Sequence, residues 1–236
     1  MRAGADDERG IALIAVMSAS SLLLALALSL ALTTTVEVGI ASNQRDGVQM
    51  LHAADAALER AIANLASTPD WDAQLAALAS GGAVTLPDGQ RLDVGQESNR
   101  LRCGLPLACS DGDMDRTTAL RPWGRNNPRW TVYVSGFLAS LLPAAISEAE
   151  LATSRAYVVV WLADDPAEND AQPLRDGGPP AVVDAFNRSN PGRGAVWLHA
   201  CAYGPSGSRR AVEAIVERDA RWPSQQLRMR VWREVS

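Results

Sequence analysis

The sequence predicts an α+β protein in which a long N-terminal helix, hydrophobic and then amphipathic, packs on a C-terminal antiparallel β-sheet. Three observations support this fold class. Residues 11–36 contain no charged side chain. Residues 37–66 continue without proline and carry apolar side chains at three- and four-residue spacing, the period of a helix with one apolar face. From residue 130 onward, short apolar or alternating runs are separated by turn residues, which is typical of antiparallel strands.

The composition limits the classes of function. The chain has 236 residues, which allow one ordinary domain in addition to a long helix. Its formal net charge is −5, so a role in specific nucleic-acid binding, which needs a basic surface, is not expected. All 22 basic residues are arginine, and the two histidines, His52 and His199, are isolated in sequence. We therefore expect no enzymatic activity, no cofactor and no small-molecule substrate.

Residues 11–36 are long enough to cross a membrane. As a helix they would span about 39 Å at 1.5 Å per residue, more than the ~30 Å of a hydrocarbon core. Secretory signals have a basic flank and an apolar run of about 7–15 residues, whereas residues 6–9 (DDER) are mostly acidic. The sequence therefore favours a membrane-spanning helix over a cleaved secretory signal. Only Arg2 and Arg9 support a cytoplasmic N-terminus.

The second half of this helix is suited to packing on protein. Its apolar face is formed by Leu51, Ala54, Leu58, Ile62 and Leu65. Thr68-Pro69 is expected to end the helix, because proline disfavours helical structure in the residue before it.

A loop-rich region is expected between the helix and the sheet. Thr68 is the predicted N-cap of a short helix with Trp71, Leu75 and Leu78 on its inner face. Residues 83–86 and 90–94 form a predicted hairpin around Pro87-Asp88-Gly89. Residues 97–128 are expected to be a long irregular loop, and residues 163–194 a second one.

Four or five antiparallel strands are expected in the sheet. Residues 156–162 are continuously apolar, which predicts a central strand covered on both faces. Residues 227–235 alternate, with Leu227, Met229, Val231 and Val235 inward and a strongly basic outer face. The remaining strand segments are 130–135, the ambiguous 137–142, and 195–203 with 209–218, which flank a Gly- and Ser-rich turn.

The helical segment also carries a family pattern. Arg9-Gly10 precedes an apolar helix that opens Ile11-Ala12-Leu13-Ile14. Residues 9–62 resemble the N-terminal region of the PilX-type minor pilins of type IV pilus assembly. The other matching positions are Thr35, Glu37, Ile40-Ala41-Ser42-Asn43, Arg45-Asp46 and Ala53-Ala54-Asp55-Ala56-Ala57-Leu58.

The resemblance implies a pilin-like fold and an assembly function. In that family a prepilin peptidase cuts after the glycine, and the new N-terminal residue is usually methylated. Cleavage is therefore expected between Gly10 and Ile11. The implied organisation is a leader (1–10), a transmembrane and assembly half of the helix (11–36), an amphipathic half (37–66), and a globular periplasmic head with an antiparallel sheet and two long loops (67–236). The implied assembly contacts include Ile14, Ala15, Leu22, Leu26 and Leu30.

The resemblance also implies partners and a location. The partners are other minor and major pilins, the prepilin peptidase and, during assembly, the inner membrane. The protein would be single-pass with a periplasmic head before it enters a pilus on the cell surface, where it would act near the tip in assembly initiation or cell adhesion. Major pilins carry Glu at the fifth mature position, where this chain has Ala15, so a repetitive shaft role is not implied.

Two alternatives remain open. A K-type pseudopilin of type II secretion also fits the absence of the early Glu, although its usual calcium site is not evident here. A membrane-anchored periplasmic binding module unconnected with filaments is the alternative from a different functional class.

Cys103 and Cys109 are expected to form a disulfide if the head is periplasmic. Closing so small a loop stabilises a fold by about 2–3 kcal/mol on chain-entropy grounds. Cys201 could pair with either residue, so three pairings are possible. Its place in a predicted strand favours a buried free thiol.

Asp111, Asp113 and Asp115 alternate as the carboxylates of a calcium loop do. Arg116 and Pro122 occupy the positions where an EF-hand needs Gly and Glu, so that motif fails. An irregular cation site, alone or together with the second acidic cluster at residues 164–170, stays open beside the simpler interpretation of solvated acidic turns.

Overall fold

The computed structural model describes residues 5–77, 81–116, 129–142, 155–165, 172–176, 194–218 and 227–235. Within these ranges the side chains of residues 5–10, 115 and 116 are not described. The chain divides into two compact units, Met1–Arg45 and Asp46–Ser236.

The secondary structure confirms the α+β layout of a long N-terminal helix and a C-terminal antiparallel sheet. The helices are α1 (Ala5–Ala66), α2 (Asp72–Leu75), α3 (Val94–Cys103), α4 (Asp111–Arg116) and α5 (Leu138–Leu141), with one 3₁₀ turn at Pro205–Gly207. The strands are β1 (Ala83–Thr85), β2 (Arg91–Asp93), β3 (Thr131–Phe137), β4 (Tyr157–Asp164), β5 (Ala195–Tyr203), β6 (Arg209–Arg218) and β7 (Leu227–Val235).

Strands β3 to β7 form one sheet in chain order, and every neighbouring pair is antiparallel. Strands β1 and β2 form a separate hairpin, as predicted. Pairing in chain order places β5 at the centre, with β3 and β7 at the two edges.

One face of the sheet packs on the amphipathic end of α1. Ala54, Leu58 and Ala61 are completely buried there, and they contact alternate residues of the central strands. The sheet side of this core is formed by Val158, Val160, Leu162, Val196, Leu198, Ala200, Ala202, Val212, Ala214 and Val216.

The opposite face of the sheet has its own core. Leu86, Leu92 and Val94, from the hairpin and the start of α3, pack with Trp130 and Trp161. Strand β4 is consequently buried along its whole length, which confirms the prediction of a central segment covered on both faces.

Two predictions for the loop-rich region are wrong. The N-cap of the short helix is Trp71 rather than Thr68, whose hydroxyl instead donates to the carbonyl of Asn64 (2.9 Å). The predicted inner residues Trp71 and Leu75 are buried, and Leu78 lies outside the described residues.

The expected irregular loop at 97–128 contains most of α3 and all of α4 within its described part. Helix α3 has a cap at each end, which explains its position. The Asp93 carboxylate accepts from the backbone N–H of Gln96, and Gly104 ends the helix in the left-handed region at φ 76°.

The alternation predicted for β7 is only partly matched by burial. Leu227 and Val235 pack against the two cores, whereas Met229 and Val231 are 38% and 41% exposed. The register of β6 and β7 shifts between Ile215 and Val216, so the alternation of side chains along β7 does not continue unchanged past this point.

We predict that Leu58→Ala lowers the free energy of unfolding by about 2–5 kcal/mol, since it leaves a cavity between α1 and the sheet. His52→Ala is the matched control, because His52 is exposed on the same helix. Denaturant unfolding of the full chain in non-ionic detergent measures both changes. An equal effect of the two substitutions would contradict the described packing.

Candidate functional site

The N-terminal unit presents an exposed apolar surface. Every side chain from residue 11 to residue 45 is exposed. Leu22, Leu26 and Leu30 recur at four-residue spacing on one side of α1, and they are 66%, 66% and 69% exposed. Ile14 is 67% exposed, and Ala15 is exposed beside it. A continuous apolar surface of this kind is typical of a membrane-spanning or partner-binding segment.

The helix beginning at Ile11 is long and apolar enough to span a membrane, with a mean hydropathy of 2.5 over 18 residues. Four of its hydroxyl groups are satisfied within the helix. The side chains of Ser21, Thr33, Thr34 and Thr35 each donate to the carbonyl four residues earlier, at 2.7–3.0 Å. Such internal bonds lower the cost of placing hydroxyls in hydrocarbon, where no water is available as a partner.

The predicted cleavage position lies within α1. The helix begins at Ala5, so the peptide bond between Gly10 and Ile11 is in helical backbone. The cleavage itself stays a prediction.

The predicted cysteine pair is present as a disulfide. Cys103 and Cys109 are bonded, with Cα atoms 6.1 Å apart, and Cys201 is the free, buried cysteine. Cys103 ends α3 and Cys109 lies two residues before α4. The cross-link therefore fixes the turn between these two helices.

The first acidic cluster forms the beginning of α4. Asp113 accepts hydrogen bonds from the backbone N–H and the hydroxyl of Ser110, and its own N–H donates to that hydroxyl. This reciprocal arrangement caps the helix. Asp111 pairs with Arg129 at 3.1 Å, and the side chain of Asp115 is not described. Among the described residues no group of three His, Cys, Asp or Glu side chains could hold a metal ion.

The second acidic cluster is described only at its start, where Asp164 and Asp165 are both buried. Asp165 lies 3.6 Å from Arg230 of β7. The basic outer face predicted for β7 is thus matched by acidic groups, since Glu217 lies 3.9 Å from Arg228 and 3.3 Å from Arg230. Residues 166–170 lie outside the described ranges.

The sheet carries a buried polar network that the spacing of residues in the sequence does not predict. Glu213 accepts two hydrogen bonds from Arg233, at 2.9 and 2.6 Å, and its other oxygen lies 3.0 Å from Nδ1 of His199. Burial raises the pKa of Glu213, but the hydrogen bonds from His199 and Arg233 outweigh it, and the net pKa lies below its ordinary value. The imidazole is 5% exposed and packs edge-on to Trp130 and Trp161. A histidine side chain that is buried to this extent is not accessible to a substrate.

A second set of buried hydrogen bonds links α3 to the sheet. The Tyr203 hydroxyl donates to Glu97 at 3.2 Å, and Trp161 donates to Ser98 at 2.8 Å. Burial raises the pKa of both Tyr203 and Cys201, so the thiol and the phenol stay protonated at neutral pH. These contacts orient α3 over the sheet.

Comparison of the chain with protein-family models, curated proteins and solved structures gave no match.

We predict that replacing Cys103 and Cys109 together by Ser lowers the free energy of unfolding by about 2–3 kcal/mol, because the unfolded chain regains the entropy of a small loop. Denaturant unfolding with and without dithiothreitol measures this. Reductant should destabilise the wild-type protein and leave the double variant unchanged. Equal stability of the oxidised and reduced wild-type protein would contradict a structural role for the bond.

The depressed pKa of Glu213 predicts a pH dependence of stability. Its contribution is fully present above the ordinary glutamate pKa of about 4.3 and is lost as the pH falls through the lower pKa of the folded state. Glu213→Gln should therefore destabilise the protein at pH 7 and less so near pH 3. Unfolding measurements across this range test the prediction, and a difference that grows as the pH falls would contradict it.

Proposed function

We propose that the protein is a PilX-like minor pilin, inserted in the inner membrane, cleaved after Gly10, and assembled with other pilins into a type IV pilus, near its tip. It would act in pilus assembly initiation or in surface interaction. The observation that carries the proposal is the charge-free segment 11–36, which is fully exposed and belongs to the same helix whose later turns are buried against an antiparallel sheet.

The proposed role of the apolar segment is helix–helix packing. Ile14, Leu22, Leu26 and Leu30 would contact the apolar helices of neighbouring subunits, first in the membrane and then in the filament. The exposure of these side chains supports the proposal, because soluble monomers rarely expose so continuous an apolar surface.

The proposed role of the amphipathic half of α1 is to hold the head. Met50, Ala54, Leu58 and Leu65 are 0–4% exposed against the sheet. The head would therefore stay folded around this end of the helix while the apolar segment exchanges lipid for protein neighbours.

Ala15 supports a minor rather than a repetitive subunit. A carboxylate at the fifth mature position would pair with the N-terminal amine of a neighbour in an apolar filament core, where such a pair is strongest. The methyl side chain of Ala15 cannot form such an ion pair. The same observation favours the K-type pseudopilin of type II secretion as the second candidate. The identity of the major subunit that co-purifies with the protein distinguishes the two.

We predict that a cell expressing prepilin peptidase shortens the wild-type chain by the ten residues that precede Ile11, and that Gly10→Ala blocks this processing. Mass spectrometry of the purified chain measures it. Gly39→Ala is the matched control, because Gly39 lies on the same helix and a Cβ added there would meet no neighbouring atom.

The control variant should be processed as the wild type is. If the wild-type chain keeps its first ten residues in the presence of the peptidase, the pilin proposal is wrong. A membrane-anchored binding module would then be the better account.

A further inference from the structure

An arginine-lined cleft lies beside the disulfide. Its volume is about 510 Å³, within the range of small-molecule sites. It is built where the end of α3, the start of α4, the approach to β3 and the segment 172–176 meet. The lining residues that the structure describes include Arg102, Arg129, Arg175, Asp111, Met114 and Leu174.

The charge of this lining differs in sign from that of the whole protein. The described lining residues include three arginines and one aspartate, whereas the chain has a formal net charge of −5. Like charges gathered in one concave site repel each other, and an anion placed between them relieves that repulsion. Burial, and then the positive charge of Arg129, lowers the pKa of Arg102, so these two guanidinium groups are close enough to repel each other.

Two of the arginines are fixed by the surrounding structure. Nε of Arg102 donates to the carbonyl of Trp130 at 2.6 Å, and Arg102 precedes the cross-linked Cys103. Arg129 pairs with Asp111 at 3.1 Å. The Asp111 side chain is 86% exposed and that of Arg129 is 20% exposed. The carboxylate is therefore already largely in water, and an incoming anion can displace it at little cost.

The cleft also has an apolar part. The Met114 side chain, Pro173 and Leu174 line it beside the guanidinium groups, and Leu174 is 39% exposed. A ligand that combines a carboxylate or phosphate with an apolar body would therefore match both parts.

We propose that this cleft binds a small organic anion whose carboxylate or phosphate group is held by Arg102, Arg129 and Arg175 and whose apolar body lies against Met114 and Leu174. Arginine suits both oxyanions, because its planar guanidinium group can donate two parallel hydrogen bonds to a carboxylate or to a phosphate. The proposal is independent of pilus assembly, since it depends only on the head.

Isothermal titration calorimetry of the full chain in non-ionic detergent tests the proposal, with phenyl phosphate and benzoate as anionic probes. At least one probe should bind with a dissociation constant below about 1 mM, within reach of a few charge-assisted hydrogen bonds. The probe that binds more tightly identifies the oxyanion. Inorganic phosphate should bind more weakly than phenyl phosphate, and neutral benzamide should not bind.

Single substitutions test whether the anionic probe binds in this cleft. Arg129→Gln and Arg175→Gln should each weaken it about tenfold or more, because each removes a charged donor. Asp111→Asn should strengthen it several-fold by removing the competing carboxylate, a gain that unfolding cannot produce. Arg228→Gln, on the exposed edge strand β7, should change it less than twofold.

Any one of the following results would overturn the proposal. One is that neither anionic probe binds at 10 mM. Another is that benzamide binds as tightly as benzoate, which would remove the role of charge. The third is that Arg228→Gln weakens binding as much as Arg129→Gln does, or that Asp111→Asn weakens it.

Discussion

The packing of the last turns of α1 on the sheet is the interaction on which the head depends. Ala54, Leu58 and Ala61 are completely buried there, and alternate residues of β4, β5 and β6 form the other side of the core. The other face of the sheet is covered by the hairpin and by α3, and hydrogen bonds from Tyr203 and Trp161 hold α3. Burial on both faces makes the central strands the most protected part of the head.

One helix thus serves two environments. From residue 11 to residue 45 all side chains are exposed, and from Met50 onward one face is buried in protein. The hydroxyls of Thr33, Thr34 and Thr35 are satisfied by the helix itself, which is what an apolar medium requires. The sequence separates the two regions by composition, and Glu37 is the first charged residue after Arg9. This division is the physical basis of the proposed assembly role.

The spacing of apolar residues in the sequence predicted the helix, the hairpin, the sheet and the fully buried strand β4. It could do so because the period of the hydrophobic pattern indicates which side chains become buried. It failed where the decisive contacts are distant in sequence. Residues of α3 were predicted to be a polar loop, because the hydrogen bonds that Glu97 and Ser98 accept from Tyr203 and Trp161 come from residues distant in sequence, which no local pattern shows. The Asp93 cap was a signal in the sequence that could have identified this helix. The arginine cleft was equally hidden, since Arg102, Arg129 and Arg175 come from separate segments that only the fold brings together.

The identity of the first residue of the protein in a sheared filament fraction tests the central claim most directly. Intact-mass and N-terminal fragment analysis would be made of the chain recovered with pili. The account predicts a chain that begins at Ile11, carries a methylated amine and is present at a small fraction of the major subunit. Recovery of the chain only in the membrane fraction, with residues 1–10 still attached, would contradict it.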